Sequence, residues 1–269
     1  MIELLKQQFS PEMSVEEKIN RLREALQLGA LKIIYDRGYF DSVAFVGGTA
    51  LRFLRGLKRF SEDLDFSLIH GKKYKFSALV PEIEKGFKLQ GLQIETKTEE
   101  NKCAHSVFLK FAGLLKTLGL SSMEKQKIFI KIEVDTNPPR GWHAESTLIN
   151  KIYFINLAHY DLPSLYAGKL HACLFRKFAK GRDFYDLIWY LSKGIKPNYR
   201  MLNNAIGQTQ GGKMNVDESN FREFLMERIE KADFKAMVKD VEHFLEDKNE
   251  AGLINLQVIK KLLGTSRGG

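Results

Sequence analysis

The sequence predicts an α+β protein whose strand-containing half is followed by a purely helical half. Short apolar and alternating runs, the signature of strands, fall only before residue 160. Helical patterns are interleaved with them, and from Pro163 onward helical patterns dominate alone. At roughly 100–200 residues per domain, 269 residues fit one large domain or two packed lobes. The boundary is placed at residues 160 and 161, giving lobes 1–160 and 161–269.

The elements follow in order. Ser14 with Glu17 forms a capping box, and Val15 to about Arg37 reads as a long amphipathic helix. Val43–Val46 is a short apolar run closed by Gly47-Gly48, as a buried strand would be. A helix is expected from Thr49 to about Leu57, an alternating strand over Asp63–Ile69, and a helix over Ser77–Leu89. Further strands are expected at Leu92–Thr98, Ser106–Phe111, Ile128–Asp135 and Lys151–Leu157. Residues 112–126 carry no assignable pattern. Helices are expected over Ser164–Ala179 and Asp183–Leu191, with three more after Asp217, and Gly207–Asn215 reads as a loop. The apolar stretch Phe221, Phe224, Leu225, Met226 and Ile229 reads as core.

Composition excludes several classes. Apolar residues are 44% and charged residues 28%, so the chain can bury a core and is not broadly disordered. The cysteines Cys103 and Cys173 form no C-x-x-C pair, which excludes a disulfide framework and suits a reducing compartment. Neither a signal-peptide pattern nor a membrane-spanning apolar run is found, so a cytoplasmic protein with no membrane partner is expected. The scattered histidines lack H-E-x-x-H spacing and give no zinc site. Basic residues number 42 against 33 acidic, a net charge of +9 that favours an anionic partner.

The chemistry concentrates between Phe45 and Leu68, FVGGTALRFLRGLKRFSEDLDFSL. Gly47 and Gly48 let a ligand approach the backbone, and a helix starting beside them offers unpaired N–H groups and a positive dipole end. Together they suit a phosphate chain. Thr49 could equally serve only as a helix cap. Asp63 and Asp65 lie two apart on a strand and share a face, while Leu64, Phe66 and Leu68 take the other. Paired carboxylates call for a neutralising cation, and hard oxygen donors suit Mg²⁺ or Mn²⁺. A dinucleotide fingerprint fails because Val46–Leu51 lacks the glycine spacing. An EF-hand fails because its glycine and glutamate positions hold Leu68 and Tyr74. The plain structural alternative is a turn followed by an acidic edge strand.

Gly47-Gly48-Thr49 followed by Arg59-x-Ser61-Glu62-Asp63-Leu64-Asp65-Phe66 resembles the first motif of the DNA polymerase β-like nucleotidyltransferases. More narrowly it is similar to the AbiEii/AbiGii (MenT-like) toxin family, with its G-G-T-A-L and R-x-S-E-D-[IL]-D-F runs. The resemblance implies a mixed sheet with flanking helices, completed by the helical lobe at the active-site cleft. Lys131-Ile132-Glu133-Val134 resembles the family's second motif, which makes Glu133 the third carboxylate and leaves Asp135, of the same parity, in reserve. Lys131 and Glu133 could also be an ordinary exposed charge pair. Leu165–Leu187 resembles the third and fourth motifs, with Lys169 as the helix lysine and Arg182-Asp183-x-x-Asp186-Leu187 as the closing element.

The residues of that last segment admit two readings. Lys169, Arg176 and Lys180 would share one face of a continuous helix, and with Lys177 and Arg182 they could hold a triphosphate or an RNA backbone. They could also be a solvated cationic face, with Asp183 a helix cap and Asp186 helping in the first turn. The resemblance implies an NTP-dependent nucleotidyltransferase acting as the toxin of a toxin–antitoxin or phage-defence pair. Its metal would sit on Asp63, Asp65 and Glu133, and its catalytic set would add Lys169, Asp183 and Asp186. Gly47, Gly48, Thr49, Arg59, Arg176, Lys180 and Arg182 would bind nucleotide. An RNA acceptor, a tRNA end for some relatives, and a cognate antitoxin are the implied partners. A non-catalytic nucleotide- or RNA-binding protein on the same scaffold, or transfer to a protein or small molecule, stand as alternatives.

Overall fold

The computed structural model describes residues 1–71, 73–212 and 214–265. Two compact units contain them: Met1–Pro138 with Glu145–His159, and Pro139–Ala144 with the chain from Tyr160 onward.

The first unit opens with α1 (Ile2–Lys6) and α2 (Val15–Asp36). Ser14 caps α2 by accepting from the Glu17 N–H at 3.1 Å. Leu22, Leu26, Ala30 and Ile33 follow the helical repeat and are buried, and each leucine or isoleucine so buried contributes about 1.5–3 kcal/mol. Then come β1 (Val43–Val46), α3 (Gly47–Arg55), β2 (Asp63–Leu68), α4 (Phe76–Leu89), β3 (Ile94–Glu100) and β4 (Ala104–Phe111). The short α5 (Leu114–Thr117), β5 (Ile128–Asp135), β6 (Ala144–Asn150) and β7 (Phe154–Tyr160) complete the sheet half.

The seven strands form one mixed sheet in the order β3-β4-β5-β2-β1-β7-β6. β1 runs antiparallel to β2 and parallel to β7, β2 runs parallel to β5, and β3, β4 and β5 pair antiparallel. Ile128, Ile130, Ile132 and Val134 of β5 are buried, and the residues between them are not. The two-residue alternation therefore gives the sheet one apolar face, against which α2 and α4 pack, and one polar face.

Several expectations shift here. α3 begins at Gly47 rather than Thr49, directly after β1. β3 is shifted two residues toward the C-terminus, and β4 starts two residues early but ends at Phe111 as expected. Lys151 sits in the turn of a hairpin, not in a strand, and β6 before it went unread because its residues are mostly polar and exposed.

The second unit holds α6 (Leu162–Phe175), α7 (Gly181–Ser192), α8 (Tyr199–Gln210), α9 (Phe221–Ile229), α10 (Phe234–Val241) and α11 (Leu256–Thr265). Tyr166 of α6 stacks on Tyr190 of α7 with ring centroids 4.3 Å apart. Asn198 ties the unit's first segment to α6 by donating to the Gly141 carbonyl and the Ser164 hydroxyl. α8 runs through the expected loop as far as Gln210 and stops at Gly211, whose φ of +70° ends the helix.

The expected helix 164–179 breaks at Phe175. Arg176 is extended (φ −71°, ψ 138°), and residues 176–180 are exposed. Their only large apolar side chain, Phe178, is 72% exposed, so another helical turn would bury nothing and is not stabilised. Lys169, Arg176 and Lys180 consequently do not form one helix face.

Candidate active site

β1 hands the chain directly to α3 at Gly47, whose φ of +78° favours glycine. A Cβ on Gly47 would overlap Asp65 Oδ2, and one on Gly48 would overlap the Arg59 guanidinium. The turn therefore lies against the β2 carboxylate on one side and a buried arginine on the other. The first N–H groups of α3, from Gly47 to Thr49, have no intrahelical partner, as at any helix start. Thr49 is fully buried and donates its hydroxyl to the Asp63 carbonyl, which pins the start of α3 to the start of β2. Its side chain is thus neither a helix cap nor exposed to a ligand.

Asp63 and Asp65 share the polar sheet face, as do Lys131, Glu133 and Asp135. The parallel register sets Asp63 beside Lys131, Asp65 beside Glu133, and Ser67 beside Asp135. Lys131 Nζ forms an ion pair with Glu133 Oε2. Burial works to lower the Lys131 pKa, but the hydrogen bond to Glu133 and the charges of Glu133, Asp63 and Asp65 raise it above its ordinary value. Burial pushes the Asp135 carboxyl up, a hydrogen bond from the Asn137 N–H opposes this, and the Glu133 charge adds to it.

Three carboxylates reached from two adjacent strands are a donor set that suits a hard divalent cation. Among the described residues, no three such side chains yet converge on one point. Lys131 pairs with Glu133 Oε2 instead, so that oxygen would ligate an ion only by exchanging the ammonium for it.

A further layer, invisible in the motif spacing, holds the strand in place. Arg59 is 2% exposed and donates to the Phe60 carbonyl, so it lies behind the turn rather than in the open. The Phe60 ring lies between Arg21 and Arg52, at 4.9 and 4.3 Å. Arg52 makes a paired contact with both Glu24 oxygens and donates to the Leu57 carbonyl. Gln27 donates to the Ser61 carbonyl at 3.0 Å. Sequence reasoning missed Glu24, Gln27 and Arg52, because nothing in the order of residues says that α2 runs beside the β2 approach.

In the second unit, Lys169 Nζ lies 2.7 Å from Asp183 and 2.9 Å from Asp186, both on α7. Arg176 reaches the other Asp183 oxygen at 2.8 Å. Asp183 and Asp186 are 6% and 0% exposed, so Lys169 and the exposed Arg176 pair with buried acids. Lys180 precedes α7 in the exposed loop, and Arg182 stacks over Phe244 at 4.1 Å. Burial pushes the neighbouring Cys173 thiol well up, and the Asp183 charge adds to the effect.

The family model described as "Nucleotidyl transferase AbiEii toxin, Type IV TA system" matches residues 30–255. The chain is a nucleotidyltransferase. It belongs to the AbiEii toxin family, whose members are toxins of type IV toxin–antitoxin systems. Among solved structures, JHP933 from Helicobacter pylori is similar at 18% identity and a TM-score of 0.48, over 91% of this chain and 93% of that one. A second, described as a candidate nucleotidyltransferase from H. pylori, is also 18% identical, with a TM-score of 0.49 over 90% and 96% of the two chains. Among curated proteins, none matches. No helix among the described residues is long and apolar enough to cross a membrane.

Proposed function

We propose that this nucleotidyltransferase moves a nucleoside monophosphate from an NTP to a hydroxyl of RNA, with a tRNA end as the acceptor. It acts in the cytoplasm as a toxin held in check by a cognate antitoxin. The reading is carried by one observation: Asp65 stands beside Glu133 on the sheet face that Gly47 also adjoins.

The N–H groups of Gly47, Gly48 and Thr49 bind the phosphates of the NTP at the α3 start. Asp63, Asp65 and Glu133 would hold Mg²⁺ or Mn²⁺, which would supply charge neutralisation at the reacting phosphate. Glu133 accepts the proton of the acceptor hydroxyl once Lys131 has released it. A bond forms from the acceptor oxygen to the α-phosphorus, the α–β bridging bond breaks, and pyrophosphate leaves. Arg59, buried beneath Gly48, keeps the cradle in shape. We assign Lys169, Asp183 and Asp186 the task of ordering the 176–180 loop and the start of α7, so that Arg176, Lys180 and Arg182 can meet the polyphosphate.

The test uses purified protein, each radiolabelled NTP, Mg²⁺ and total tRNA. Labelled RNA is expected with the wild-type chain and is lost with Asp65→Asn. Label on protein alone would overturn the RNA acceptor, and label that survives Asp65→Asn would overturn the metal-site assignment.

A further inference from the structure

We propose that the polar sheet face beyond Glu133, carried by β5 and β4, is the platform for the single-stranded 3′ end of the acceptor RNA. Phe108 and Phe129 stack on its bases, and Lys97 and Lys110 meet its phosphates. The inference rests on the RNA-acceptor reading given above.

The paired registers draw this face residue by residue. Going outward from β1, one row reads Val46, Asp65, Glu133, Ser106, Glu99. The next reads Asp63, Lys131, Phe108, Lys97, and a third reads Phe129, Lys110, Glu95. Phe108 and Phe129 are therefore diagonal neighbours on adjacent strands, with Lys131 and Lys110 on the other diagonal. All of these side chains point away from the apolar face on which α2 and α4 pack.

In-line displacement fixes which side of the carboxylates the acceptor uses. The attacking and leaving oxygens lie on opposite sides of the reacting phosphorus. The leaving polyphosphate belongs at the α3 start, which adjoins Asp65 from the β1 side. The acceptor then comes from the opposite side, past Glu133 and over β5 and β4.

The residues found there suit a strand of nucleotides. Phe129 is 44% exposed and Phe108 half-buried, in rows shared with Lys131, Lys97, Lys110 and the acids Asp63 and Glu95. The Lys131 ammonium lies 5.9 Å from the Phe108 ring centroid. Lys97 pairs with the exposed Glu99, a contact that a phosphate can displace at little cost. Lys110 has no ion-pair partner among the described residues. Rings alternating with lysines bind single strands with little sequence preference, because every base offers a π-face. Two rings surrounded by charged side chains do not make the broad apolar patch that a protein partner would bury.

Fluorescence anisotropy tests the proposal on the full chain, using a labelled single-stranded RNA with a free 3′ hydroxyl and a blunt RNA duplex. Wild type is expected to prefer the single strand. Phe129→Ala is expected to weaken single-strand binding roughly five- to hundred-fold, and Phe129→Trp to restore it. Phe108→Leu, which keeps apolar bulk for the fold, loses the ring and weakens binding too. Lys110→Glu flattens the salt dependence. Calorimetry of NTP with Mg²⁺ runs alongside, and an unchanged affinity in Phe129→Ala shows that the nucleotide side is intact. Wild-type RNA binding that survives Phe129→Ala and Lys110→Glu together would overturn the platform alone and leave the face to a protein partner. A wild-type chain that binds no RNA would overturn the acceptor reading, and the platform with it.

Discussion

Asp65 on β2 and Glu133 on β5 stand side by side in the parallel register, whereas Asp135, two residues further, pairs with Ser67. Either acid of β5 has the right parity to join Asp63 and Asp65, and the register separates them by one row. Glu133→Gln is accordingly expected to reduce nucleotide transfer roughly a thousandfold, the scale of several kcal/mol of transition-state charge stabilisation. Asp135→Asn should cost far less. Initial rates of NMP incorporation compare the two, and equal losses would place the third carboxylate elsewhere. EDTA should stop transfer in the wild type, and added Mg²⁺ or Mn²⁺ should restore it.

The two glycines of the turn fail for different reasons when substituted. Gly47→Ala puts a side chain into a left-handed conformation, at a cost of roughly 1–2 kcal/mol, and against the Asp65 carboxylate. Gly48→Ala meets the Arg59 guanidinium, which is buried and has little room to yield, and overpacking of this kind costs about 1–3 kcal/mol. Urea denaturation should show both losses. The pair Gly48→Ala with Arg59→Lys should recover part of the Gly48→Ala deficit, because the shorter reach of lysine frees the space.

The two cysteines should separate cleanly by reactivity. Cys103 is exposed and Cys173 is buried, and the thiolate is the reactive form. Burial raises the Cys173 thiol pKa, and the Asp183 charge raises it further, so little thiolate exists at neutral pH. Alkylation of the native protein should therefore modify Cys103 only, and unfolding in urea should expose Cys173. Mass spectrometry of peptic fragments reads the outcome directly. Rapid native labelling of Cys173 would show that α6 opens far below the global unfolding free energy.

What the sequence made legible was local. The shared face of Asp63 and Asp65 follows from a period of two along a single strand, and Gly47-Gly48 announces a turn by composition alone. The mixed sheet came from the resemblance carried by the R-x-S-E-D-L-D-F run, because strand order is decided by tertiary pairing that no single segment encodes. The resemblance puts Arg59 among the nucleotide-binding residues, and motif spacing does not show that it is 2% exposed in the space left by the missing side chain of Gly48. The spacing of Lys169, Arg176 and Lys180 describes one face only if the helix continues, and it stops at Phe175. Periodicity says where a helix has a face to bury, and the residues after Phe175 have none.

Lys169 lies in an ion-pair network rather than on an open cationic helix face. Its ammonium lies between Asp183 and Asp186, and its side chain is 12% exposed, so both carboxylates depend on it. Lys169→Met keeps the apolar stem and removes the charge, taking one ion-pair partner from each of two buried acids. Breaking a buried pair from one side typically costs about 3–5 kcal/mol, so this variant should unfold at clearly lower urea than wild type. Adding Asp186→Asn should return part of that loss, since one of the two acids that lose the lysine is then neutral. If Lys169→Met were as stable as wild type, the lysine would have to leave the two acids in solution, and its role at the nucleotide phosphates would then be direct. Stability that falls with Lys169→Met and recovers in the double variant, while transfer stays lost, separates ordering of the α6–α7 junction from a catalytic need for the charge.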